Sequence, residues 1–112
     1  MNNLEEIKNN AKKVWSGFAP LENLTGTAAP RLIKFANISK NQKILDVACG
    51  TGVVALTAAR TGANVFGSDL TPELLERAEE NNKLFKLNVK FTEADVEKLP
   101  YDDAFFDVVL SQ

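Results

Sequence analysis

Apolar residues recur along this chain at two periods, and each period predicts a different kind of element. Over residues 3–16, Leu4, Ile7, Ala11, Val14 and Trp15 fall at spacings of three, four, three and one. That is one face of an amphipathic helix, which has to dock on something. Ser16-Gly17-Phe18-Ala19-Pro20 breaks it, and the stretch to Ala29 is rich in Thr, Gly, Pro and Ala without a period. Pro30 suits a first helical turn, and Leu32, Ile33 and Ala36 predict a short second helix ending near Asn37. Lys40-Asn41-Gln42 is a polar turn.

From residue 44 the pattern changes. Ile44-Leu45-Asp46-Val47 is a β-type run with an acid inside it, followed by the small-residue turn Ala48-Cys49-Gly50-Thr51-Gly52. Val53 to Arg60 is small and apolar, as in a helix pressed on a sheet, with Gly62 placed as its stop. Asn64 to Asp69 predicts a second strand ending in an acid. Thr71 is a candidate N-cap ahead of Pro72, and Leu74, Leu75, Ala78 and Phe85 line one side of a helix running to about Leu84. Val89, Phe91 and Glu93 alternate with Lys90, Thr92 and Ala94, a half-exposed third strand. Phe105 to Leu110 predicts a fourth, largely buried strand.

Strands alternating with helices predict an α/β fold, a doubly wound parallel sheet with right-handed crossovers and strand order 3-2-1-4, preceded by N-terminal helices. Residues 1–43 form a helical arm or lid and residues 44–112 the sheet domain. Gln112 follows directly on the fourth strand, so that strand is expected to lack a neighbour on one side. Only Asp107 discourages pairing along it, and a homodimer through this edge is expected.

Composition narrows the function classes. At 45% hydrophobic and 25% charged residues, the 112-residue chain is an ordinary globular domain. A single cysteine, Cys49, and no histidine leave no disulfide framework and no zinc site, and the chain reads as cytoplasmic. No stretch reaches membrane-spanning length and no signal peptide is visible. Residues 1–43 carry +4 and residues 44–112 carry −6. Lys12-Lys13 is the only adjacent basic pair, so nucleic acid is not an expected partner.

Candidate chemistry gathers at the strand ends, where a doubly wound fold puts its ligand crevice. Asp69, seventeen residues past Gly52, is placed to accept hydrogen bonds from ribose hydroxyls. Asp95 follows the third strand and suits an exocyclic amine, with the Val96 N–H offered to a ring nitrogen and Leu70 to a purine face. Asp46, inside a buried strand, needs a partner: either a positively charged ligand group or the N–H groups of its own loop. Cys49 reads as loop filler, and Trp15 as either a packing anchor or part of a lid. The turn itself has two readings. Gly50-Thr51-Gly52-Val53-Val54-Ala55 satisfies the dinucleotide pattern G-x-G-x-x-G/A, which would make this an NAD(P)-type domain. Read from Asp46, the turn is D-x-G-x-G-x-G with Ala48 in the first glycine position.

ILDVACGTG (44–52), GSDLTPELLERAEE (67–80) and EADVEKLPYDDAFFDVVLSQ (93–112) together resemble the class I S-adenosylmethionine-dependent methyltransferases, nearest to the ubiquinone and menaquinone biosynthesis type. The resemblance implies a Rossmann-like sheet binding S-adenosylmethionine, with S-adenosylhomocysteine as product and a small-molecule methyl acceptor. It implies Asp46, Ala48, Gly50 and Gly52 around the methionine and ribose part, Asp69 on the ribose and Leu70 on the adenine. It also implies Asp95 with Val96 at the adenine edge and Ser111 near the sulfonium. The segments that complete the sheet and the acceptor pocket are expected to lie outside these residues. No catalytic residue and no metal ligand is singled out.

Overall fold

The switch to β-type sequence at residue 43 is where the sheet begins. Over residues 2–112, which the computed structural model describes, β1 (Lys43–Val47), β2 (Asn64–Asp69), β3 (Lys90–Glu93) and β4 (Val108–Leu110) lie in the order β3-β2-β1-β4. Every pairing is parallel, as expected. The chain steps outward from β1 to β3 and returns to the far side of β1. The register sets Asp46 beside Gly67 and Leu110, and Val47 beside Ser68, so the carboxyl ends of β1 and β2 are level.

Five helical segments accompany the strands: α1 (Asn3–Trp15), α2 (Glu22–Thr25), α3 (Ala29–Phe35), α4 (Val53–Ala59) and α5 (Pro72–Leu84), with short 3-10 turns at Ala19–Leu21 and Val96–Lys98. Strand alternation divides the sheet into two faces. Ile44, Val65 and Leu110 point to one, where they form a core with Val54, Ala55, Leu56 and Ala58 of α4 and with Ala29 and Ile33 of α3. On the other, the Phe66 ring is met edge-on by Phe106, Phe105 and Tyr101 at centroid distances of 5.3, 5.6 and 6.0 Å. Asn82 of α5 ties the helix to the next strand by exchanging two side-chain bonds with the Val89 backbone, at 2.9 and 3.2 Å. No helix among the described residues is long and apolar enough to cross a membrane.

Three expectations are corrected. The apolar stripe of α1 does not dock: the helix buries no residue, and Leu4, Ile7, Val14 and Trp15 are all exposed. The side turned to the body carries Lys8 and Lys12 beside Ala11, the one stripe residue that is partly buried. Phe85 lies at the C-cap of α5, half exposed, under the Arg60 guanidinium 4.9 Å from its ring. The fourth strand is shorter than predicted, because Phe105 and Phe106 leave the ladder to cover Phe66, and its Val109 is exposed. Asp107 marks the true entry to β4, its N–H and carboxylate both bonded to the Lys43 backbone at 2.8 Å.

Gly52 should tolerate substitution far less well than Gly50. Both have left-handed backbone, at φ +86° and +57°, but a Cβ on Gly52 would lie 2.8 Å from the Phe91 ring whereas one on Gly50 meets open space. Backbone strain alone costs an alanine about 1–2 kcal/mol and overpacking adds about 1–3. Urea unfolding should therefore show Gly52→Ala destabilised by about 2–4 kcal/mol and Gly50→Ala by about 1. Equal losses would contradict this packing.

Candidate functional site

The turn from β1 to α4 runs through left-handed backbone at Ala48, Gly50 and Gly52, with φ of +53°, +57° and +86°. Such a turn leaves N–H groups without ladder or helix partners, and two buried acids take them. Asp46, 1% exposed, accepts a 3.0 Å bond from the Ala55 N–H through Oδ2. It thereby caps α4, whose own N-cap, Gly52, has no side chain for the purpose. Asp69 accepts from the Gly50 N–H at 2.8 Å through Oδ2 and from the Thr71 N–H at 2.9 Å through Oδ1. One carboxylate thus ties the turn to the start of α5. Thr71 occupies the N-cap position of α5 as predicted, but its side chain makes no capping bond. The bond Asp46 makes goes to the first turn of α4 rather than to an amide of the glycine turn itself. Burial, opposed by the Ala55 N–H and reinforced by the neighbouring Asp69 charge, pushes its carboxyl up to about 7. Burial, with the charges of Asp46 and Asp69, raises the Cys49 thiol, so the loop-filler role suits it.

Two cavities flank this turn. The larger, about 410 Å³, lies beyond the carboxyl ends of β2 and β3. Asp69, Leu70 and Thr71 line it after β2, Ala94, Asp95 and Val96 after β3, and Ala48 and Gly50 from the turn, and Ala11, Lys12 and Trp15 of α1 line it with Phe18. The smaller, about 80 Å³, has Asp46, Cys49 and Thr51 at its base and shares Phe18, Ala48, Gly50 and Gln112 with the larger. A groove of about 460 Å³ between α5 and β3 is walled by four glutamates and lies away from the turn. Open parallel sheets bind ligands beyond their strand ends, which favours the first pair of cavities.

Asp69, Leu70, Asp95, Val96, Ala48 and Gly50 come together around the larger cavity, and Asp46 reaches the smaller. Gly52 lines neither and acts as the N-cap of α4. Ser111 is exposed and lines neither, whereas Gln112 lines both. Asp95 caps the 3-10 turn after β3 by accepting the Glu97 N–H at 3.0 Å, and it is also bonded by the Lys8 ammonium. The Lys8 bond, helped by that N–H, holds its carboxyl below the ordinary range. Trp15 meets Phe18 edge-to-face at 4.7 Å and lines the cavity while half exposed.

Sequence reasoning missed the residues that tie the arm to the turn. Glu22 takes Arg77 at 2.8 and 3.1 Å and the Asn81 amide at 3.2 Å, and that amide also reaches the Thr51 carbonyl at 3.3 Å. Partial burial opposes ionisation of Glu22, but the bonds from Arg77, Thr51 and Asn81 outweigh it and keep its carboxyl low. No local pattern marks partners 55 and 59 residues apart. No group of His, Cys, Asp and Glu among the described residues is arranged to hold a metal ion.

A family model described as a methyltransferase domain matches residues 44–112. The demethylmenaquinone methyltransferase of Chlorobaculum tepidum is 42% identical over 83 residues, covering 73% of this chain and 33% of that protein. Among solved structures, the YcgJ protein of Bacillus subtilis is similar with a TM-score of 0.71 at 26% identity, over 77% of this chain and 37% of its own. A putative S-adenosylmethionine-dependent methyltransferase of Methanococcus maripaludis gives 0.69 at 21% identity, over 94% and 48%, a likeness of fold alone. The chain spans about a third of the length of the curated relatives it matches.

The raised carboxyl of Asp46 has a consequence for stability. It titrates at about 7 in the folded chain and near 3.8 when unfolded, so between these values the folded state holds the extra proton. Its contribution makes stability fall as pH rises from about 4 to about 7, then level off. Asp46→Asn keeps an acceptor for the Ala55 N–H and removes the charge, so its urea midpoint should decline less over that window. Parallel pH profiles for the two proteins would contradict the assignment.

Proposed function

This chain belongs to the class I S-adenosylmethionine-dependent methyltransferases, and we propose that it supplies the cofactor-binding part of an enzyme that methylates a small-molecule acceptor. The observation that carries this is the Asp69 carboxylate, fixed by two backbone N–H groups in the wall of the larger cavity. A carboxylate has about four acceptor sites, so two such bonds leave room for a pair of ribose hydroxyls.

The remaining residues fit the same group. Leu70 and Leu74 offer apolar surface to an adenine, Asp95 an acceptor for its amine, and the Val96 N–H a donor for a ring nitrogen. Ala48 and Gly50 bring backbone close to the ribose and methionine parts, and Asp46 adds a buried carboxyl to the lining of the smaller cavity. Gly52 contributes by ending the turn, and Gln112, not Ser111, lines the junction of the two cavities. A dinucleotide fits poorly here. Its pyrophosphate would need the N–H groups of the turn and of the start of α4, and the carboxyls of Asp69 and Asp46 already occupy those of Gly50 and Ala55. A cationic ligand is favoured by those same acids.

S-adenosylmethionine, when bound, supplies a methyl group on a positively charged sulfonium. The chain's part is to hold the donor in line and keep water out. With no histidine in the chain, no residue is assigned as a general base.

Calorimetric titration separates the two nucleotide readings. S-adenosylhomocysteine should bind this chain and NAD⁺ should not, and Asp69→Ala, with Asp69→Asn as the milder variant, should weaken binding at least about tenfold, or about 1.4 kcal/mol. Binding of NAD⁺ alone, or unchanged affinity in folded Asp69 variants, would overturn the proposal.

A further inference from the structure

Helix α1 meets the body through charge. Lys8, Ala11, Lys12 and Trp15 stand at i, i+3, i+4 and i+7 and so share one face. The Lys8 ammonium bonds Asp95 and lies 2.7 Å from Glu97 Oε2, and the Lys12 ammonium lies 3.3 Å from Glu93 Oε1. These three acids run along the end of β3 and the 3-10 turn after it, and Asp95 is also a wall of the larger cavity. From the same helix face, Ala11, Lys12 and Trp15 line that cavity.

We propose that Lys8 and Lys12 form an electrostatic latch closing α1 over the larger cavity, and that Lys8 is a positioning residue for the Asp95 carboxylate inside it. Partly exposed ion pairs are individually weak and are screened by salt. No residue of α1 is fully buried, and two of its contacts with the body are the Lys8 and Lys12 ion pairs. The lid therefore opens as ionic strength rises, while the sheet and its core stay folded. With Asp95 Oδ1 taken by the Glu97 N–H and Oδ2 by Lys8, the carboxylate is held from both sides. Releasing Lys8 both uncovers the cavity mouth and frees that carboxylate to turn, so a bound ligand leaves faster.

Trp15 is the chain's only tryptophan, so its emission reports directly on α1. The ligand-free protein is titrated from about 0.01 M to about 1 M sodium chloride, over which the screening length falls from roughly 30 Å to roughly 3 Å. The expected result is a red shift of Trp15 emission with the urea midpoint largely retained. Lys8→Met/Lys12→Met should be red-shifted already at low salt and unresponsive thereafter, and Lys8→Arg/Lys12→Arg should restore the response. Emission that ignores salt, or a methionine variant identical to the parent, would overturn the latch.

A second arm rests on the proposed cofactor reading. Stopped-flow dissociation of S-adenosylhomocysteine should be faster from the methionine variant than from the parent at low salt, and equal at high salt. Salt-dependent emission without S-adenosylhomocysteine binding would remove the cofactor reading and leave the latch standing. Intact binding with dissociation rates insensitive to salt and to both substitutions would sink the latch alone.

Discussion

Two buried carboxylates, Asp46 and Asp69, hold the turn on which the rest of the structure depends. The backbone at Ala48, Gly50 and Gly52 is left-handed, a conformation that residues with side chains avoid and that leaves amide groups pointing away from any ladder. Burying an acid is costly, and so is burying an amide without a partner; here each cost offsets the other. Asp46 supplies the cap that α4 lacks, and α4 then carries Val54, Ala55, Leu56 and Ala58 onto the sheet. Asp69 joins the turn to the start of α5. Phe91 completes the arrangement by lying over Gly67 and against Gly52, where no side chain stands in its way.

The same acids decide what the crevice can accept. A glycine turn at a helix start ordinarily attracts phosphate, because its amides are free and the helix dipole favours negative charge. In this chain the Gly50 and Ala55 amides already face carboxylates, and the neighbouring rim adds Glu93, Asp95 and Glu97. Positive groups are drawn to such a site. The lysines of α1 answer part of that charge, Lys8 at Asp95 and Glu97 and Lys12 at Glu93.

Most of the sheet was legible because each strand announces itself locally: a β-type run, an acid or small residue at its end, then a helical period. Strand order follows once the fourth strand crosses back to the far side of the first, and the positions of Asp69 and Asp95 beside a cavity follow from their places after β2 and β3. What failed were statements about surroundings. Periodicity marked the apolar stripe of α1 but could not show that Lys8 and Lys12, one step round the helix, meet acids more than 80 residues away. Phe105 and Phe106 read as strand because aromatic residues favour strands, yet covering Phe66 uses them outside the ladder. Ser111 and Gln112 differ by one position, and only the backbone direction after β4 decides which of them lines the cavities.

A proton–nitrogen correlation spectrum of the chain titrated with S-adenosylhomocysteine reads out directly which of these surfaces takes the ligand. The amide shifts should concentrate at Phe18, Gly50, Leu70 and Val96, around the paired cavities, and leave Glu76 and Glu80 of the α5 groove unmoved. Shifts centred on that groove, or none in a folded protein, would contradict that placement.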